Sequence, residues 1–294
     1  MYIPDYNYYK PKSLAEALTL LKKSKNAAAL AGGTDLLVEI KKGLRYPADI
    51  ISLSAVKGLS FVKKEGANLS IGATTTHNEI IANPLVKKYY PALADALSKI
   101  GSEQVRNSAT IGGNICTGAS CCDSAPILIA LNAKVKIADA AKVKTIFLKD
   151  FFIFNKKTIL KKGEVMTKII LPLPKPGFGA HFEKFGLREA GNISVASVAV
   201  MVIVKKNICV DACIVIGAVA PTPKISFKAT EMLKGKTISE LSIDSLILKQ
   251  AGMAAVDDSI PIDDIRGGAN YRRTILSVLT SRAIAKAIAS VKKL

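Results

Sequence analysis

The sequence predicts an α+β protein in two parts: an α/β domain over residues 1–175 and an α+β domain over residues 176–294. Three observations carry this. Pro172-Leu173-Pro174-Lys175-Pro176-Gly177 is the clearest linker signal in the chain, since proline removes backbone donors and glycine interrupts regular structure. Before it, short apolar runs alternate with segments of helical period. After it, strand-like runs at 180–185, 194–204 and 209–217 follow one another closely, as neighbouring antiparallel strands do. Helical patterns near 226–233, 244–255 and 270–291 complete a small antiparallel sheet with helices.

The first domain divides into subdomains of about 1–60 and 61–175. Ser13-Leu14-Ala15-Glu16 has the form of a capping box, followed by a stripe of Leu14, Leu18 and Leu21. Residues 27–31 are apolar throughout, as in a strand covered on both faces, and Gly32-Gly33 follow at once. Thr34 or Asp35 can cap the next helix, marked by Leu36, Leu37, Ile40 and Leu44 with Gly43 as its stop. Asp49 to Leu53 is a further strand. In the second subdomain 61–64 and 69–73 are strand-like around Gly66. Leu93, Leu97 and Ile100 mark a helix after Pro91. Strands at 134–137, 145–148 and 165–171 follow the apolar run 127–131, and this unit also reads as α/β.

Gly32-Gly33 and Gly112-Gly113 are two diglycine turns beside apolar segments. Glycine admits positive φ and leaves no Cβ in the way of a ligand. A helix start behind such a turn presents unpaired N–H groups suited to a phosphate. Two such turns could close on one diphosphate from both sides.

Other chemistries find little support. Gly235-Lys236-Thr237 lacks the earlier glycine of a P-loop, and Gly177-Phe178-Gly179 lacks the third glycine of a dinucleotide motif. His77 and His181 are single and far apart, and read as polar surface or capping residues rather than metal ligands. Cys116, Cys121 and Cys122 suggest an iron–sulfur site, but a fourth thiolate is missing. No metal site and no catalytic residue set is expected. Cys209 and Cys213 read as small core residues on one face of a strand. The five cysteines form an odd number. With no basic-then-apolar leader at Met1-Tyr2-Ile3-Pro4-Asp5, they point to free thiols and a cytoplasmic location. The net charge of +19 is dispersed as pairs such as Lys41-Lys42, without a long basic run or aromatic lacing. It argues for a solvated surface or an acidic protein partner rather than nucleic acid. The apolar run 195–204 is too short to span a bilayer.

AGGTDLL at 31–37 and RNSATIGGNIC at 106–116 together resemble the paired flavin-diphosphate motifs of the FAD-binding medium subunit of molybdenum hydroxylases. That family is the xanthine dehydrogenase and carbon monoxide dehydrogenase superfamily. GATTT at 72–76, GAVAPTP at 217–223 and RGGANYRR at 266–273 extend the resemblance nearly end to end. It implies a two-subdomain FAD-binding domain of the PCMH type and noncovalent FAD. The implied cofactor-binding residues are Ala28, Ala29, Leu30, Ala31, Gly32, Gly33, Thr34 and Asp35 in the first segment. The second supplies Ala109, Thr110, Ile111, Gly112, Gly113 and Asn114, joined by Asp123, Val165 and Lys184. Asp123 reads equally well as a helix cap before Ser124-Ala125-Pro126. Lys184 is the residue implied to tune the flavin by its charge, with a surface strand position as the alternative. Asn192-Ile193 departs from the family's usual aspartate. The resemblance implies a hetero-oligomer with a molybdenum-cofactor large subunit and a small subunit with two-iron iron–sulfur clusters. Electrons would pass from those clusters through FAD to an external acceptor. The alternative is a self-contained FAD oxidoreductase on the same fold.

Overall fold

The computed structural model describes residues 4–188 and 191–291. The chain opens with β1 (Asn7–Tyr9), α1 (Leu14–Lys23), β2 (Ala27–Leu30), α2 (Leu36–Lys41) and β3 (Asp49–Ser52). The three strands form a parallel sheet in the order β1-β3-β2. Ser13 Oγ caps α1 by accepting from the Glu16 amide at 3.2 Å. Glu16 Oε2 accepts from the Lys12 amide at 3.0 Å, so the reciprocal half of the expected box is displaced by one residue.

Helices and antiparallel strands follow. They are β4 (Val62–Glu65), β5 (Asn68–Gly72), α3 (His77–Ala82), α4 (Pro84–Tyr89), α5 (Pro91–Ser98), α6 (Glu103–Ser108), α7 (Ile111–Thr117) and α8 (Ser124–Ala130). Then come β6 (Lys134–Ala138), β7 (Val143–Phe147), β8 (Phe152–Phe154), β9 (Lys157–Thr158) and β10 (Val165–Pro172). β4-β5-β10-β6-β7 is one sheet, antiparallel at every pairing. The expected α/β character of this subdomain is thus corrected. Its helices are grouped between β5 and β6 instead of alternating with strands. The run 127–131 lies mostly in α8, which is buried along its whole length and so shows no amphipathic period.

The last part holds β11 (Phe178–Phe185), β12 (Ala196–Lys205), β13 (Ile208–Gly217) and β14 (Lys224–Ile225). They form an antiparallel sheet in that order, followed by α9 (Phe227–Glu231), α10 (Leu246–Asp257) and α11 (Ala269–Ala289). Val198, Val200 and Val202 of β12 pack toward the side chains of α10 and α11. Ala199, with Phe182 and Val215, packs toward those of α5 and α8. Burial on both faces explains why 195–204, broken only by Ser197, is apolar without alternation.

Two expectations fail for identifiable reasons. Residues 27–30 form an edge strand with Ala28 buried and Ala29 exposed, because β3 takes the centre of the sheet. Cys209 and Cys213 lie on opposite faces. In the register Val204 pairs Cys209 while Ile203 pairs Asp211, so Val210 is an extra residue. That bulge reverses the alternation, sending Cys209 to the α10–α11 core and Cys213 toward the α5–α8 core.

Candidate functional site

The first glycine segment leaves the end of β2 and enters α2. Gly33 has φ +75, where a side chain is strained. Gly32 is required for a different reason. A Cβ there would stand 1.9 Å from the Ser108 carbonyl oxygen and 3.0 Å from the Ala109 Cα. The two glycine segments therefore meet backbone to backbone. Ala31 lies on the same seam, its Cβ 3.7 Å from where a Gly113 Cβ would be. Asp35 takes the N-cap position of α2 but makes no side-chain cap bond. It accepts instead from Thr117 Oγ1 at 3.2 Å, across the seam.

The second segment is a helix start and not a turn. Thr110 is the N-cap of α7, its hydroxyl oxygen accepting from the Gly113 amide at 3.1 Å. The amides of Ile111 and Gly112 donate to the carbonyls of Thr75 (3.1 Å) and Ala73 (2.9 Å). These amides already have acceptors, so the expectation of free diphosphate-binding amides at 111–113 is corrected. The segment offers a hydroxyl proton from Thr110 and a close approach instead. Gly112 is set by packing, since its Cβ would lie 2.6 Å from the Ala73 Cβ. Asn114 faces inward, its Oδ1 accepting from Ser124 Oγ (2.6 Å) and Cys122 Sγ (3.1 Å).

Asp123 and Lys184 meet inside the protein. Lys184 comes from β11 and Asp123 from the N-cap position of α8, and their side chains are 4% and 6% exposed. Lys184 Nζ donates to Asp123 Oδ2 (2.7 Å), the Lys99 carbonyl (2.8 Å) and the Asn192 carbonyl (3.2 Å). All three ammonium protons have acceptors. Ser194 Oγ donates to the other Asp123 oxygen. Asp123 therefore makes no side-chain cap bond, and Lys184 is not a surface lysine. Burial pushes the Asp123 carboxyl above its ordinary value, against the pull of Lys184 and Ser194.

Val165 does not join these groups. It is 4% exposed and packs with Ala17, Leu18, Leu53 and Ala138 under α1. His77 is fully buried with both ring nitrogens unpartnered, which corrects its reading as a surface or capping residue. Its first-turn position in α3 places it under Ala109, whose carbonyl accepts from the His77 amide at 3.0 Å. Burial, helped by the Arg106 charge, lowers its pKa to about 4. Burial raises the thiols of Cys116 and Cys122 to about 12 each, keeping them protonated. Among the described residues no group of three or more His, Cys, Asp or Glu is placed to hold a metal. Arg272 was not legible as a site residue. It is 2% exposed, donating to the carbonyl of Val195 (2.8 Å) and to Asp264 (2.7 Å). It anchors the residue after Ser194, and its only sequence signal was its place within RGGANYRR. A recess of about 290 Å³ lined by Leu14, Phe61, Lys63, Lys136 and Lys168 does not coincide with these segments. It is a basic recess on the five-stranded sheet.

Residues 4–174 match the family model for the FAD binding domain in molybdopterin dehydrogenase. Residues 180–287 match that for the CO dehydrogenase flavoprotein C-terminal domain. The chain is 33% identical to the glyceraldehyde dehydrogenase medium chain of Sulfolobus acidocaldarius, covering 96% of this chain and 98% of that protein. It is 32% identical to the carbon monoxide dehydrogenase medium chain of Hydrogenophaga pseudoflava, over 96% of each. It resembles a solved structure of carbon monoxide dehydrogenase from Hydrogenophaga pseudoflava with TM-score 0.95 at 31% identity, covering 99% of this chain and 100% of that one. Quinoline 2-oxidoreductase from Pseudomonas putida 86 is similar at TM-score 0.92 and 28% identity, with 98% and 99% covered.

Proposed function

Since this chain belongs to the FAD-binding family of the molybdopterin dehydrogenases, we propose that it is the electron-transferring medium subunit of a molybdenum hydroxylase complex. The observation that carries the reading is the seam where Gly32 meets Ser108 and Ala109, bringing two distant glycine segments into one cradle. Bound FAD supplies two-electron redox chemistry linking two-iron clusters of a small partner subunit to an external acceptor. A molybdenum-cofactor large subunit would carry the hydroxylation, in a cytoplasmic complex.

The residues of this chain have distinct tasks in that reading. Residues 28–35 and 109–114 form the cradle, with Gly33 providing the turn and the Thr34 and Thr110 hydroxyls able to donate to a diphosphate. Lys184 and Asp123 are held rigid by Ser194, Lys99 and Asn192, so an ion pair is fixed at low dielectric, with Asp123 next to Ser124, whose hydroxyl donates to Asn114 of the second segment. Val165 packs under α1 and has no direct task at the cradle. The division at 175/176 would separate cradle from Lys184, so neither part binds the cofactor fully without the other. The +19 charge suits an acidic partner surface. No described helix is long and apolar enough to cross a membrane.

The test is affinity purification from the native host with flavin and metal analysis. FAD on this chain, with molybdenum and iron on separate co-purifying chains, is the expected result. A lone yellow protein that turns over a small substrate unaided overturns it.

A further inference from the structure

Asp35 stands at the N-cap position of α2 yet does not cap it. Its Oδ2 accepts from Thr117 Oγ1 at 3.2 Å, a bond between residues 82 apart in sequence. Thr117 is the last residue of α7, the helix that begins with the second glycine segment, and its hydroxyl also lies 3.0 Å from the Gly113 carbonyl. One proton serves two acceptors there, and the charged carboxylate is the stronger of them. A second tie runs parallel. The Gly118 carbonyl accepts from the Lys156 amide at 2.7 Å, and Lys156 Nζ pairs with Glu39 of α2 at 2.6 Å. α2 is thus fastened to the end of α7 at two points along its length. A free carboxylate at residue 35 would also repel a diphosphate beside Gly33, and the bond to Thr117 gives it a fixed direction.

We propose that Asp35 and Thr117 are positioning residues, a clamp across the seam that sets the spacing of the two glycine segments and so the affinity for FAD. The inference rests on the reading of the cradle as the FAD site.

The test is fluorescence titration of FAD into FAD-stripped chain. The variants are D35A, T117V, their double, and the conservative D35N and T117S. Loss of one hydrogen bond of ordinary strength corresponds to about five- to tenfold weaker binding for D35A and T117V. The double variant should be no weaker than the worse single, because both remove the same bond. D35N and T117S keep an acceptor and a hydroxyl and should bind within about twofold of wild type. Melting temperatures of the FAD-free variants should fall by no more than roughly 2–4 °C, the cost of about one hydrogen bond, which separates positioning from loss of fold. Unaltered binding in both singles, additive losses in the double, or tighter binding in D35N and D35A alike overturns the clamp. Wild-type chain that takes up no FAD overturns the cofactor reading itself, and the clamp with it.

Discussion

Lys184→Met should destabilise the chain strongly, and in a pH-dependent way. The pair Lys184–Asp123 is 4% and 6% exposed, so water screens it little. Removing the ammonium leaves Asp123 buried with only Ser194 beside it and frees the Lys99 and Asn192 carbonyls. Breaking a buried pair by removing one partner costs about 3–5 kcal/mol. For a chain of this size that corresponds to a fall in melting temperature of roughly 6–12 °C. The sign with pH follows from Asp123. Its folded pKa is already above its ordinary value, and losing Lys184 raises it further. A raised pKa gives stability that is complete below the unfolded value of about 3.9 and is lost as pH rises through the folded value. The deficit of Lys184→Met should therefore be larger at pH 7 than at pH 5. Adding Asp123→Asn removes the unpaired charge and should restore much of the loss. The assay is thermal unfolding of the FAD-free chain followed by circular dichroism at both pH values. A variant that melts with wild type at pH 7, or a double variant less stable than Lys184→Met alone, would refute the reasoning.

Gly112→Val should cost soluble folded protein and not merely flavin, since its Cβ would strike Ala73 at 2.6 Å; folded Gly112→Val lacking only FAD would contradict this. Gly33→Ala meets mainly leucine side chains but needs φ +75, a penalty of about 1–2 kcal/mol, so it should fold and bind FAD less tightly in the same titration. His77 has a pKa lowered from 6.5 to about 4. Its depressed value gives stability present above the unfolded pKa and lost as pH falls through the folded one, an effect of order 3 kcal/mol. His77→Leu should flatten the fall in melting temperature between pH 7 and pH 4, and an unchanged slope would count against this. FAD should appear in the supernatant after acid precipitation of the native protein; flavin left in the pellet would show covalent attachment.

Local signals were enough for much of this architecture. Strand alternation, the proline-rich segment and the helical stripe ending in α11 are written in neighbouring residues, and so are the two glycine segments. Gly33 shows why this works. Its positive φ is a property of one residue and its turn, and glycine at that position is legible without any partner. The antiparallel pairing of β12 with β13 was similarly legible, because only Lys206 and Asn207 join them and so short a connection leaves little choice.

Tertiary contact decided the rest. Gly112 looks like Gly33 in sequence but serves a helix packed on Ala73, a neighbour 39 positions away. Asp35 and Asp123 both precede helices and both look like caps, yet each turns to a partner from a distant segment: Thr117 for one, Lys184 for the other. A carboxylate takes the partner that three-dimensional packing brings to it, and for Asp123 a charged donor in a dry interior outweighs a local amide. His77 and Arg272 are hidden for the same reason. Nothing in a polar residue's sequence neighbours announces that every face of it will be covered, because burial is a property of what folds over it. The bulge at Val210, which put Cys209 and Cys213 on opposite faces, is likewise fixed only by the strand beside it.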